Sequence, residues 1–475
     1  NHSESKLLFV SDNIWENLDE ENFITLQAVF SLTDYLPVVL LNQPAPTLLE
    51  ENESRENIIS PLHKSKLTKR HIEDLFAHKY PYGFNKDSVR YIDKSNAELV
   101  SINYTSGTTG FSKGVMTSGN ALAGNVTFAV STGLIAPGFN IVAFLPLAHA
   151  YGCAFDFLAS TCAGCHIHFI GRTPSPKILL KAFAEVRPNV IFCVPLIIEK
   201  IYKKQIQPLL ARPSMRWVLS IPLLDQPILA QIRKKLVDAF GGNFSQIVVG
   251  GAPLNAEVEE FFAKIKFPFT VGYGMTECAP LISYSEAKDF IPKSSGKMLE
   301  GIMEAKIDRP DPNTGVGEIF VRGENVMSGY YKNPEATEQI LDTEGWLHTG
   351  DLGTIDAQGN VFIRGRNKTM ILSANGQNIY PEELEAKLNN MPFVMESLVI
   401  DSNGKLIALV YPDYEAVDAE GLDQKALDDV MEENRKMLNS MGAAYENVAK
   451  IQLYPHEFEK TPKKSIKRYL YTTGL

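Results

Sequence analysis

Between residues 115 and 275 the chain alternates two hydrophobic periodicities, and this alternation restricts the fold more than any other feature. Runs of β-formers at 140–145, 166–170, 189–194 and 246–249 are separated by helical patterns at 118–130, 151–163, 176–186, 196–204 and 226–240. Strand-helix-strand alternation of this kind implies an α/β fold, a mostly parallel sheet with helices on its faces. In such sheets ligands gather beyond the carboxyl ends of the strands. Three stretches rich in Gly, Thr, His and Tyr follow strands there, at 145–152, 250–254 and 271–277. From about residue 300 the pattern changes to short strands at 305–308, 317–322, 352–356 and 360–364, divided by Gly, Asp and Asn, which predicts a small barrel-like or antiparallel subdomain. Strands are expected at 7–12, 36–42, 398–401 and 406–411, and helices at 67–80 and 423–441.

At 475 residues the chain exceeds one ordinary domain. A formal net charge of −10 argues against nucleic acid as a partner, since phosphate backbones are held by clustered Lys and Arg. The most apolar region, 141–170, is interrupted by His149, Asp156, His166 and His168, so it reads as buried strands and helices and not as a bilayer span. The first ten residues lack the basic start and apolar core of a secretory signal, and five cysteines fit a reducing cytoplasm. Cys162-Ala-Gly-Cys165-His166 spells a haem-attachment or redox motif, but haem would require export and zinc a second ligand pair. The alternating residues that follow favour a plain strand.

The chemistry concentrates in Tyr104-Thr-Ser-Gly-Thr-Thr-Gly-Phe-Ser-Lys-Gly114. Thr105, Ser106, Thr108, Thr109 and Ser112 stand among Gly107, Gly110 and Gly114 with one cation, Lys113. Glycine lets backbone N–H groups come close to an anion, and with hydroxyls and a lysine they form a phosphate cradle. Walker A spacing is not met, because Lys113 follows Ser112 and precedes Gly114; a flexible Gly/Ser linker is the bland alternative. Gly250 and Gly251, followed by Ala252 and Pro253, would let backbone lie flat against a planar base, or would form an ordinary turn. Gly272-Tyr273-Gly274-Met275-Thr276-Glu277 offers a ring, a hydroxyl and a carboxylate suited to Mg²⁺, or else a turn with a buried Tyr. Asp351, within Trp346-Leu-His-Thr-Gly-Asp-Leu-Gly353, is expected between two glycine-flexed turns, where it can accept both hydroxyls of a ribose, or else belongs to an ordinary Thr-Gly-Asp turn.

These motifs together resemble the adenylate-forming enzymes, the superfamily of acyl-CoA and aryl-CoA synthetases, luciferases and adenylation domains. Across residues 100–385 the sequence is most similar to bacterial long-chain fatty-acyl-CoA synthetases. The resemblance implies a large domain at 1–367 and a small mobile α+β lid at 368–475, joined at a hinge on Lys368. It implies ATP, Mg²⁺ and coenzyme A as cofactors, with residues 105–110 and Lys113 on the phosphates, 250–253 and 272–276 beside the nucleotide, and Glu277 on the metal. It further implies Asp351 and Arg366 on the ribose, nucleotide contact from Ile363, and Gly376 on the thiol path. His149 and Gly274 fall near the acyl group. The lysine of the adenylation step is assigned to Lys464, with Lys463 and Ser465 as rivals, because the usual Gly-Lys pair does not occur in the tail. The implied reaction is ATP-dependent activation of a long-chain fatty acid followed by transfer to CoA. Loading of a carrier protein and a catalytically impaired nucleotide-binding relative are the alternatives; peripheral membrane contact and a homodimer are left open. The phosphate loop lies nearer the start than in relatives, so a further leading segment is expected.

Overall fold

The computed structural model of the chain describes residues 3–18, 25–32, 37–40, 76–90, 94–106, 112–171, 174–210, 212, 215, 225–373, 377–460 and 466–471, without the side chains of 12, 13, 37–40, 106, 204 and 205. The chain divides into two units, 1–95 and 96–475. In the first, Leu7–Val10 pairs in parallel with Ala28–Ser31, which pairs antiparallel with Pro37–Leu40. The helix expected at 67–80 falls mostly outside the described residues; 76–79 are helical.

In the second unit, Val190–Cys193, Gln246–Val249 and Phe269–Val271 form a parallel ladder with Val190 opposite Gln246 and Ile247 opposite Phe269. Each of these strands is buried along its whole length, as parallel strands covered on both faces must be. A second parallel pair, Asn140–Ala143 with His166–Phe169, is stitched to the first ladder by Asn189. Asn189 donates its N–H to the Asn140 carbonyl (3.0 Å), and its side-chain Oδ1 accepts from Asn140 N (2.8 Å). His166–Phe169 is largely exposed, so Cys165-His166 opens an edge strand, and the Cys165 thiol donates to the Ala136 carbonyl at 3.3 Å.

Local chemistry sets the helix ends. Ser118 Oγ accepts from Ala121 N and starts the helix Gly119–Ser131; Ser175, with Pro176 behind it, starts Pro176–Val186. The helices at 151–163 and 196–204 arrive in a modified form. Gly152–Ala159 and Tyr202–Ile206 are π-helical, continued by the α-helical Ser160–Ala163 and Gln207–Leu210. Apolar periodicity does not distinguish one extra residue per turn from a regular helix. One hydrophobic cluster runs from Val115 to Val361, and its fully buried members include Phe155, Phe183, Phe192, Phe240 and Phe262. Each such side chain contributes roughly 1.5–3 kcal/mol by leaving water.

Past residue 300 four strands, Met303–Asp308, Gly317–Gly323, Leu347–Ile355 and Val361–Arg366, form an open antiparallel sheet in that order, and no barrel closes among the described residues. A separate cluster from Ile379 to Val448 holds the C-terminal part together, around the sheet Val394–Ser402, Lys405–Pro412 and Val448–Leu453 and the helix Gln424–Ser440.

The tail is tied to this part by charge. Glu385, in the helix Pro381–Leu388, accepts from Val399 N at 2.6 Å and ion-pairs with Arg468. Burial outweighs both and raises its carboxyl from 4.5 to about 7. The folded chain therefore holds this proton more tightly than the unfolded chain, and stability falls as pH rises from about 4.5 through about 7. Arg468→Ala, which strips a buried carboxylate of its cation, is expected to cost about 3 kcal/mol near pH 8 and far less near pH 5. Urea melts at the two pH values check this; equal losses would contradict the pairing.

Candidate active site

The phosphate-loop stretch is a β-hairpin. Leu99–Ser106 and Ser112–Ser118 pair antiparallel, with Tyr104 opposite Gly114, Thr105 opposite Lys113 and Ser106 opposite Ser112. Gly107, Thr108, Thr109 and Gly110 lie outside the described residues. Gly114 is needed for closure, since a Cβ there would stand 2.9 Å from Ile102 and 3.3 Å from the Tyr104 ring. A third strand, Gly329–Tyr330, pairs with Met116 and Val115, and Tyr331 N donates to the Gly114 carbonyl at 2.8 Å. That strand sets the Tyr330 ring under Lys113, whose Nζ lies 4.7 Å from the ring centroid. On its other side the Tyr330 hydroxyl donates to Glu277 Oε1 at 2.9 Å. Burial, then the neighbouring Glu277, pushes this phenol well above its ordinary range, so it remains a donor.

Glu277 belongs to the segment that leaves the central strand Phe269–Val271. Gly272 N still bonds to the Val249 carbonyl (2.9 Å), and the chain then doubles back, with Tyr273–Gly274 pairing against Leu281–Tyr284. Gly274 is exposed, and a Cβ on it would run into the Pro280 carbonyl. Met275 N is held by that same carbonyl at 2.9 Å, and Thr276–Cys278 forms a 3₁₀ turn in which Thr276 is buried. The Tyr273 hydroxyl, in a side chain 7% exposed, donates to Asp351 Oδ2 at 2.7 Å.

Asp351 departs from its expected setting. It lies inside the strand Leu347–Ile355 and not between two turns, because Gly350, at φ +72°, and the irregularity at Leu352/Gly353 bend the strand without ending it. Register supplies its partner: Asp351 stands opposite Arg366, and Arg366 Nε meets Oδ1 at 2.9 Å. Burial raises the Asp351 carboxyl above its usual range, while Arg366 and Tyr273 pull the other way. Glu318 braces both strands, accepting from Gly350 N (3.0 Å) and Asn367 Nδ2 (3.2 Å).

Gly250 and Gly251 follow Gln246–Val249. Gly250 N donates to the Cys193 carbonyl, and the Tyr151 ring lies where a Gly250 Cβ would be, 3.3 Å away. Gly251, at φ +86°, Ala252 and Pro253 are exposed. Asn255 then caps the helix Ala256–Lys264 through Oδ1 and reaches Asn390 with Nδ2. His149 is half-buried after the strand Asn140–Ala143, and Ile363 is half-buried opposite Gly353. Lys368 is exposed in the turn after Arg366, where Thr369 N and Met370 N bond back to the Arg366 carbonyl. Gly376, and Lys463, Lys464 and Ser465, lie outside the described residues.

The described residues thus form one continuous chain of contact: Lys113, Tyr330, Glu277, then through residues 273–276 of the same segment to Tyr273, Asp351 and Arg366. Sequence reading missed Tyr330, the link between lysine and carboxylate, and Glu318, the brace. The available signal for the first was an aromatic pair after glycine in Gly329-Tyr-Tyr331. Among the described residues no group of three His, Cys, Asp or Glu side chains gathers to hold a metal alone. One carboxylate and a neighbouring hydroxyl suit Mg²⁺, which takes few protein ligands when substrate phosphates supply the rest.

A family model described as AMP-binding enzyme matches residues 1–331. The chain belongs to this AMP-binding enzyme family. Among curated relatives, a long-chain-fatty-acid–CoA ligase of Mycobacterium bovis is 32% identical over 337 residues, 66% of this chain and 54% of its own. One of Bos taurus is 30% identical over 336 residues, 65% of this chain and 46% of its own. The chain spans about half the length of these AMP-binding relatives. Among solved structures, ATP-bound MatB from Rhodopseudomonas palustris superposes with a TM-score of 0.69 at 23% identity, covering 99% of this chain and 79% of that one. The O-succinylbenzoate coenzyme A synthetase of Bacillus subtilis, in complex with ATP and magnesium ion, gives 0.66 at 20% identity, with 98% and 79% covered. The mixed α/β architecture is therefore that of adenylate-forming AMP-binding enzymes.

Proposed function

We propose that the chain activates a long-chain fatty acid with ATP and passes the acyl group to the thiol of coenzyme A. The observation that carries this reading is that two lines of contact, Lys113–Tyr330–Glu277 and Tyr273–Asp351–Arg366, are joined by the single segment 273–277 and span motifs far apart in sequence. The ligase names of the curated relatives supply the acid and the acceptor.

A carboxylate is a poor acyl donor because its leaving group would be oxide. In the first half-reaction a carboxylate oxygen bonds to the α-phosphorus of ATP while the bond to pyrophosphate breaks. In the second, the sulfur of CoA bonds to the acyl carbon, the thiol proton is released, and AMP leaves with the electron pair. The hairpin with Lys113 and Thr276 would hold the phosphates, its donors facing the negative charge that crowds at phosphorus. Glu277 and Thr276 would hold Mg²⁺, which supplies Lewis-acid stabilisation of the phosphate oxygens when bound. Tyr273 and Arg366 occupy one direction on each Asp351 oxygen, so the carboxylate retains lone pairs to accept the two ribose hydroxyls. Gly250 to Pro253 lie along the adenine, and loop 145–150 with His149, together with Gly274, borders the acid. Residues 368–475 act as a lid turning at Lys368, bringing Lys464 for the first step and the Gly376 loop for the second. A cytoplasmic setting suits the free thiols of all five cysteines; no described helix is long and apolar enough to cross a membrane.

The test is exchange of labelled pyrophosphate into ATP. The expected result is exchange that requires a long-chain fatty acid, with thioester formed when CoA is added. Exchange with product only on a phosphopantetheinylated carrier protein would change the acceptor, and ATP binding without any acid-dependent exchange would overturn the reaction.

A further inference from the structure

Among the described residues, one wholly buried carboxyl has no task in the proposed reaction. Asp156 lies in the π-helical stretch Gly152–Ala159 and is 0% exposed. Its Oδ2 accepts the backbone N–H groups of Phe144 (3.2 Å) and Leu145 (3.1 Å), while Oδ1 has no hydrogen-bond partner. Burial pushes the carboxyl up to about 7 in spite of the two donors. An apolar side chain would avoid the cost of a buried, half-satisfied carboxyl, so the acid supplies something that packing does not.

What it supplies is the end of a strand. Phe144 and Leu145 follow Asn140–Ala143, where the ladder stops and their N–H groups would be left buried and unpaired. Asp156 takes both, at the point where the chain turns into loop 145–150. The π-helical turn, with one residue more than an α-turn, directs this side chain back towards the loop. The rest of the loop is clasped from the same helix. Cys153 N donates to the His149 carbonyl (2.9 Å), His149 N donates to the Pro146 carbonyl (3.0 Å), and a Cβ on Gly152 would lie 2.8 Å from that same carbonyl. The nucleotide side is anchored separately, since the Tyr151 hydroxyl donates to the Val248 carbonyl at 3.0 Å and its ring supports Gly250.

We propose that Asp156 is a positioning residue for the fatty acid: it fixes loop 145–150, and His149 with it, without acting on ATP. This rests on the reading that the loop borders the acid. The ionisable groups facing Asp156 are Tyr151 and Cys193, both pushed up by burial and neutral at working pH.

Steady-state exchange kinetics of the full chain separate the roles. Asp156→Leu, lacking an acceptor, is expected to raise KM for the acid about tenfold while KM for ATP stays within about twofold. Asp156→Asn, which keeps one oxygen for both N–H groups, should return the acid KM to within about threefold of wild type. Acid and ATP values rising together, or Asn as impaired as Leu at equal melting temperature, overturns the proposal. Should the leucine variant not fold, pH profiles decide. The wild-type acid KM is expected to change between about pH 6 and 8 and the Asn profile to be flat; matching profiles overturn the role. A wild type with no acid-dependent exchange would instead sink the ligase reading, whereas an active wild type with the wrong variant pattern sinks only the positioning of the acid.

Discussion

Asp351→Ala is expected to lower kcat/KM for ATP about a hundredfold or more, the loss of roughly 3 kcal/mol. Two hydroxyls donating to an ionised carboxylate account for about that much, at roughly 1.5–3 kcal/mol each. The substitution also releases Arg366, whose side chain is 56% exposed and free to turn to solvent once its partner is gone. Tyr273, buried, cannot turn to solvent. Its hydroxyl loses the acceptor at 2.7 Å and keeps only the Thr349 side chain beside it, a further cost of about 1 kcal/mol that appears as lost stability. Tyr273→Phe removes a donor and leaves the carboxylate held by Arg366, so the expected loss is nearer tenfold. Because burial raises the Asp351 carboxyl, ATP binding should fade on acidification at a higher pH than an exposed aspartate would give. Initial rates and calorimetric ATP titration of both variants check this; an Asp351→Ala enzyme with wild-type ATP affinity would remove the ribose assignment.

The second large effect falls on the tail. Lys464→Ala is expected to slow acid-dependent pyrophosphate exchange by about a hundredfold or more with ATP binding retained, as for loss of a charge aimed at the developing negative oxygens. Its neighbours have other work. Lys460 pairs with Glu396 at 2.5 Å, Lys467 with Glu459 at 3.1 Å, and Arg468 with Glu382 and Glu385. A bridge between Lys460 and Ile466, and the bond from Lys467 N to the Glu459 carbonyl, bring the two flanks of residues 461–465 together. On the assignment to Lys464, Lys463→Ala and Ser465→Ala are expected to cost little. If Lys463→Ala is the inactive variant, the register of the tail is shifted by one; if neither lysine matters, the adenylation charge comes from elsewhere.

The architecture was legible because its signals are local. Val190–Cys193 and Gln246–Val249 are short apolar runs between punctuated segments, and Ser118 and Ser175 mark helix starts by a single side chain. The 104–114 stretch, the Gly272 to Glu277 turn and the Asp351 octet stood out as candidates for the same reason. What could not be read depends on pairing across long separations. Asp351 was expected between two turns because glycine flanks it; its place in a strand follows from register against Arg366, which no local window contains. Tyr330 meets Glu277, 53 residues away in sequence, only because Gly329–Tyr330 adds to the hairpin edge. Of the two forms expected past residue 300, barrel-like or antiparallel, the described residues show the open antiparallel sheet, a choice that strand counting cannot make. Asp156 marked the interruption of an apolar stretch, yet its hold on Phe144 and Leu145 depends on a π-turn that apolar periodicity conceals.

A structure of the chain with Mg²⁺ and a non-hydrolysable ATP analogue would test the convergence of these segments most directly. The account predicts ribose hydroxyls within hydrogen-bond distance of Asp351, the base along Gly250 and Gly251, and phosphates between Thr276 and the hairpin that carries Lys113. A nucleotide bound away from Asp351 and Arg366, with those side chains still paired only to each other and to Tyr273, would contradict it.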